Sequence, residues 1–137
     1  MMNKRILKVL YLLSILSFFL PWFTYNARMM GYCWGFQFIK WFILPTAVIT
    51  IYLFSKKELM ISVLAEISSI ANIILMIIAF GMWQQECNII TGFHFTDGFR
   101  TALPTFYIAL ILFLIFFIFL QYTLIQERAD NNPSRQR

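Results

Sequence analysis

Glu66 sits inside the apolar run from Leu59 to Trp83, and Ser62, Glu66, Ser69 and Asn72 follow one another at intervals of four, three and three. On a helix that spacing sets all four along one side. The carboxylate falls about seven residues, or roughly 11 Å, inside the helix. An ionised group at such a depth in hydrocarbon costs on the order of a few kcal/mol, so it must face protein or water. Two chemistries fit. One is a polar seam that handles a proton, an ion or a lipid headgroup, with Glu66 titrating or pairing with a cation. The other is interhelical adhesion by Ser, Asn and a protonated Glu, aided by the small Ala65 and Ala71. Ser14 and Ser17, or Thr46 and Thr50, would supply partners in either case. No basic residue stands at a matching depth, since Lys40 falls near the opposite face and snorkels outward.

Cys33 and Cys87 are the only cysteines. Both fall in segments expected outside the cell, where oxidising conditions permit one disulfide; a reducing habitat would leave two thiols. Glu86, Cys87, His94 and Asp97 are ligand types, yet their spacing matches no closed zinc pattern. His94, between Phe93 and Phe95, reads as an interfacial neighbour of aromatic rings. The chain has no Gly-rich phosphate loop, nucleophilic Ser motif or paired-His motif. No catalytic constellation, metal site or cofactor is therefore expected, and the chain does not read as an enzyme.

The elements that hold these residues follow from composition. Of 137 residues, 61% are hydrophobic and only 12% charged, too apolar for a soluble domain of this size to bury. Lipid is the alternative solvent. A spanning helix needs about 20 mostly apolar residues, and residues 6–23, 38–54, 59–83 and 102–125 supply four such runs. The expected fold is an all-α integral membrane protein: a four-transmembrane-helix bundle over residues 1–125, with a polar cytoplasmic tail at 126–137. The runs are too long and too uniformly apolar for a membrane barrel. Lys4, Arg5 and Lys8 ahead of an apolar stretch resemble a signal peptide, but Pro21-Trp22-Phe23-Thr24 offers no small-residue cleavage site, which favours an uncleaved anchor.

Lys4, Arg5, Lys8, Lys56, Lys57, Arg128, Arg135 and Arg137 fall on one side of this topology, against Arg28, Lys40 and Arg100 on the other. Basic residues mark the cytoplasm, so both termini are expected inside and the protein in the cell membrane. The net charge of +5 is then a topology signal and does not indicate nucleic-acid binding.

The two halves also read as a weak repeat. Gly35-Phe36-Gln37-Phe38, Lys40 and Leu44-Pro45-Thr46 answer Gly92-Phe93-His94-Phe95, Arg100 and Leu103-Pro104-Thr105, as two hairpins of the same orientation would. Pro104 suits a helix first turn. Pro45 either kinks the second helix or marks its true start, in which case that helix is too short to span. Trp22, Tyr25, Tyr32, Trp34, Trp41 and Trp83 read as an outer interfacial belt. Phe113, Phe116, Phe117 and Phe119 surround the fourth helix and predict broad contact with lipid or another subunit. The Leu20-Pro21-Trp22 helix end before Gly35-Phe36 resembles part of small bacterial four-helix membrane proteins; the likeness covers mainly the first loop and carries over no functional residue.

Two functions follow as expectations. The first is a non-enzymatic partner of another membrane protein, or of itself: an accessory subunit, immunity factor or defence component. The second is an oligomeric permeation or lipid-handling protein that uses the Ser62 to Asn72 seam.

Overall fold

The computed structural model describes residues 4–24, 31–55, 59–86, 92 and 94–130. Helix α1 (Lys4–Leu16) tightens into a 3₁₀ turn (Ser17–Phe19) and leads into strand β1 (Pro21–Thr24). Strand β2 (Tyr32–Trp34) passes through a second 3₁₀ turn (Gly35–Phe38) into α2 (Ile39–Phe54). Helix α3 (Leu59–Glu86), the short α4 (Phe95–Thr101) and α5 (Pro104–Asp130) complete the order. Among the described residues three helical stretches are long and apolar enough to cross a membrane: Gly35–Phe54, Leu59–Gln84 and Pro104–Ala129.

The first helix expected at 6–23 is not formed as such. α1 ends at Leu16, and Leu20 is already extended at φ −96°, ψ 150°. Pro21 is the physical reason, because a proline disfavours helical backbone at the residue before it. Trp22 completes the stop: its indole N–H donates to the Ser17 carbonyl at 3.0 Å, satisfying a helix-end acceptor. The chain then continues in a direction that β-formers prefer. Pro21, Phe23 and Thr24 pair antiparallel with Trp34, Cys33 and Tyr32, and the register is irregular at Trp22, between Pro21 and Phe23. β1 thus takes the place of the end of the expected first helix, and β2 lies in the segment expected to be a loop.

Pro45 does not begin α2; the helix runs through it, with the proline ring buried. Pro45 has no N–H to give the preceding turn; the neighbouring Thr46 hydroxyl donates back along the helix, to Phe42 O at 2.5 Å and Ile43 O at 3.0 Å. The short-helix alternative is thereby removed. α5 begins at Pro104, as a first-turn proline allows, but persists to Asp130. Residues 126–130, expected in the polar tail, are therefore helical. α4 was expected to be loop. Gly98 lets it lie on α3, because a Cβ there would stand 2.6 Å from Phe80 O. The proposed repeat has no local counterpart in these elements: Gly35–Phe38 feeds directly into α2, while Phe95–Thr101 is a separate helix.

α1 packs on α5, α5 on α3, and α3 on α2 and α4. The interior divides in two. Toward the hairpin end, Phe18, Trp22, Phe23, Phe38, Trp83 and Phe106 belong to one cluster. Toward the chain-terminus end, Leu7, Ile49, Tyr52, Leu53, Phe116 and Leu120 belong to another.

Candidate functional site

The four seam residues lie along α3 but meet different surroundings. Ser62, Ser69 and Asn72 are buried. Ser69 donates to the Glu66 carbonyl at 2.7 Å, a bond within its own helix. Asn72, at the middle of α3 and 1% exposed, has neither its amide nitrogen nor its amide oxygen in a hydrogen bond. Glu66 is instead half-buried and turned toward α5, where Arg128 Nη2 donates to its Oε2 at 2.6 Å. This corrects the expectation that no cation matches its depth. Because α5 stays helical beyond residue 125, Arg128 is carried alongside α3 rather than released into a tail.

Arg128 belongs to a larger polar cluster at this end. Its neighbour Glu127 is buried and stands 3.6 Å from Lys4 Nζ, while Tyr52 donates its hydroxyl to Glu127 Oε2 at 3.2 Å. Lys4 also lies 5.3 Å from the Tyr52 ring centre. The cluster thus ties α1, α2, α3 and α5 together. Composition alone gave no signal for Glu127 and Tyr52; the cue was that a heptad step back from Glu127 meets Leu120, Phe113 and Phe106, all buried.

The hairpin end is built otherwise. Trp22 and Trp83, expected in an interfacial belt, are fully or almost fully buried. Trp22 stacks on Phe38 at 5.6 Å and meets Phe106 edge-on at 5.7 Å. Phe23 stacks on Trp83 at 5.2 Å with the planes 6° apart. Such pairs contribute about 0.5–1.5 kcal/mol each beyond burial. Gly35 is required here, since a Cβ would fall 2.5 Å from Trp22 Cε2. Backbone bonds lock the strands to the helices: Gly35 N–H to Leu20 O at 3.1 Å and Leu103 N–H to Trp22 O at 2.8 Å. The Thr105 hydroxyl donates to Pro21 O, and Phe23 bridges to Ala102.

This arrangement makes a rigid platform whose outward residues are themselves aromatic. Tyr32, Trp34, Phe36, Phe95 and Phe99 are exposed. Phe113 and Phe116, expected around a lipid-facing perimeter, are core residues, while Phe117 and Phe119 are half-buried.

Cys33 is buried on β2; Cys87, its expected partner, lies outside the described residues, as does the side chain of Glu86. His94 and Asp97 are half-buried at the start of α4. Among the described residues no group of three metal-ligating side chains occurs. No protein-family model, curated protein or solved structure matches the chain.

Proposed function

We propose that the protein crosses the cytoplasmic membrane four times, with both termini in the cytoplasm, and acts without catalysis by binding another membrane protein through its hairpin-end platform. Its role would be that of an accessory subunit, an immunity factor or a defence component. The observation that carries this reading is the platform itself: a closed aromatic core, hydrogen-bonded to the end of the first helical segment and to the start of α5, that holds Trp34, Phe36 and Phe99 outward. Rigid aromatic anchors are the side chains that dominate protein interfaces.

A fourth crossing is supported by the path from Lys4 to Thr24. α1 rises about 20 Å, the 3₁₀ turn about 6 Å and β1 about 13 Å, together more than a hydrocarbon core of about 30 Å. Extended backbone is tolerable at that depth only where protein satisfies it, and β1 bonds to β2, Ala102 and Leu103. Lys4, Arg5, Lys8 and Arg128 at the opposite end support cytoplasmic termini. We further propose a Cys33–Cys87 disulfide, because the proposed topology sets both cysteines outside the cell, where oxidising conditions permit one. Closing that loop would contribute on the order of 4 kcal/mol in the chain-entropy model.

Photo-crosslinkable residues placed at Trp34 and Phe99, with Ile118 as a lipid-facing control, test the reading in native membranes. A single adduct of defined mass from the first two, absent at Ile118, is the expected result. No adduct at either platform position would refute it. The second reading, an oligomeric permeation or lipid-handling protein, draws on the unpaired amide of Asn72 in the middle of α3. A pH-dependent flux in liposomes that Glu66→Gln abolishes would favour it over the first.

A further inference from the structure

α1 and α2 each pack on a different neighbour, α1 on α5 and α2 on α3. Between them opens a cavity of about 410 Å³, within the roughly 300–1,000 Å³ of small-molecule sites. Leu12, Ile15 and Phe18 form one wall, and Ile39, Ile43 and Ala47 the other. The Phe18–Phe42 ring pair, 4.9 Å between centres, closes the hairpin end. At the other end Tyr11 reaches across as a bar: its hydroxyl donates to Thr46 O at 2.7 Å and lies 2.8 Å from Thr50 Oγ1.

One turn beyond that bar stands Lys8, its ammonium 4.3 Å from the centre of the Phe54 ring on α2. Two other cations at this end are differently placed. Lys4 faces Glu127 and Arg128 is bonded to Glu66, whereas Lys8 has no carboxylate partner among the described residues. A lone ammonium at the edge of an apolar slot attracts an anion that also has something apolar to insert. From Lys8 to Phe18 the helix rises about 15 Å, half of a hydrocarbon core of about 30 Å. Cation, hydroxyl bar and apolar cleft therefore succeed one another in the order phosphate, glycerol linkage and acyl chain, over the depth of one leaflet.

We propose that the α1–α2 groove binds one anionic phospholipid of the leaflet on the Lys8 side, with an acyl chain in the cleft and its phosphate against Lys8. A partner helix does not fit between the two walls. It would need about 10 Å of clearance, and the Tyr11–Thr46 hydrogen bond holds the walls within one tyrosine length. A zwitterionic lipid fills the cleft equally well but leaves Lys8 without a net counter-charge. The proposal rests on the membrane reading alone and stands apart from whatever the platform binds.

Native mass spectrometry of the full chain in mild detergent, titrated with dioleoyl phosphatidylglycerol or dioleoyl phosphatidylcholine, tests it. One phosphatidylglycerol per chain should be retained, about fivefold more tightly than phosphatidylcholine, as one lysine near an anionic headgroup provides. Lys8→Gln should erase that preference and Lys8→Arg preserve it. Ala47→Phe, at an exposed wall position, should abolish retention of both lipids while the thermal melt stays cooperative. Equal retention of the two lipids by the unaltered protein overturns the proposal. So does undiminished phosphatidylglycerol binding by a folded Ala47→Phe protein, or loss of a dimer rather than of lipid in that variant, which would assign the groove to a second copy. Lys8→Gln removes the charge at the groove's mouth and leaves the cleft's lining in place, so its result decides the headgroup contact even where Ala47→Phe fails to fold.

Discussion

The hairpin end and the terminus end solve the same problem, holding helices together in lipid, by opposite means. At the hairpin end Trp22, Phe23, Trp83, Phe38 and Phe106 interlock face to face and edge to face, and two strands seal the top with backbone hydrogen bonds. At the terminus end the packing is mostly aliphatic, and it is Lys4, Glu127, Tyr52, Glu66 and Arg128 that cross between helices. Lipid gives no hydrophobic force between helices, so association there comes from packing and polar contacts. The first end uses shape, which is unforgiving of change. The second uses partly exposed charges, which water and salt weaken. The platform should therefore be the stiffer half and the charged end the adjustable one.

The largest blow to that contrast is Trp22→Ala. The substitution removes a fully buried indole together with its stop bond to Ser17. A loss of about 3–5 kcal/mol is expected, read as a fall in the melting temperature in detergent. A change below 1 kcal/mol would mean that the aromatic core does not govern stability. Gly35→Ala attacks the same place from the backbone. Its Cβ would meet the Trp22 ring at 2.5 Å, and overpacking of this kind costs about 1–3 kcal/mol. Pairing it with Trp22→Ala should recover much of that added cost, because the obstructing ring is gone.

How far this division was legible depends on which signal each half leaves in the chain. Length and apolarity placed α2, α3 and α5 to within a few residues, since spanning lipid demands both. They could not find the faces. On α5 the exposed stripe Ile108, Ile111, Ile118 and Ile125 is as apolar as the buried stripe Phe106, Phe113, Phe116 and Leu120, so hydrophobic periodicity vanishes. α3 repeats the pattern with Ile67, Ile70, Ile74 and Ile77 outside and Ala65, Asn72, Met76 and Ala79 inside. The usable contrast was aliphatic against aromatic, small or polar. Reading Trp22 and Trp83 as an interfacial belt missed it, because a tryptophan near a helix end suits a membrane surface and a buried core equally. The strands were missed for a related reason. Trp22-Phe23-Thr24 and Tyr32-Cys33-Trp34 carry β-forming residues, but their pairing depends on Gly35 making room for Trp22, a contact that no local pattern announces. Glu66 was found from its depth; its partner was not, because a helix continuing through polar residues 126–130 leaves little trace in hydropathy.

Asn72→Leu examines the middle ground between the halves. Its amide lies buried at mid-helix with neither polar atom bonded, and a similarly sized apolar side chain removes that penalty. The melting temperature should rise by the equivalent of about 1–2 kcal/mol. If instead the variant is destabilised, Asn72 serves a bonded polar path, and the seam is more than adhesion.

The smallest effect belongs to the Glu66–Arg128 pair, and its smallness is the point. The two side chains are 28% and 46% exposed, so solvent screens them despite a bond of 2.6 Å. A double-mutant cycle with Glu66→Gln and Arg128→Gln should give a coupling of about 0.2–1 kcal/mol, falling further as salt is raised toward a Debye length of about 3 Å at 1 M. A coupling of several kcal/mol that ignores salt would place the pair in a dry interior, and would make the terminus end as rigid as the platform. A weak, salt-sensitive coupling leaves α3 and α5 free to part at that end while the aromatic core holds them at the other, so that any opening of the bundle would pivot about Trp22 and Trp83.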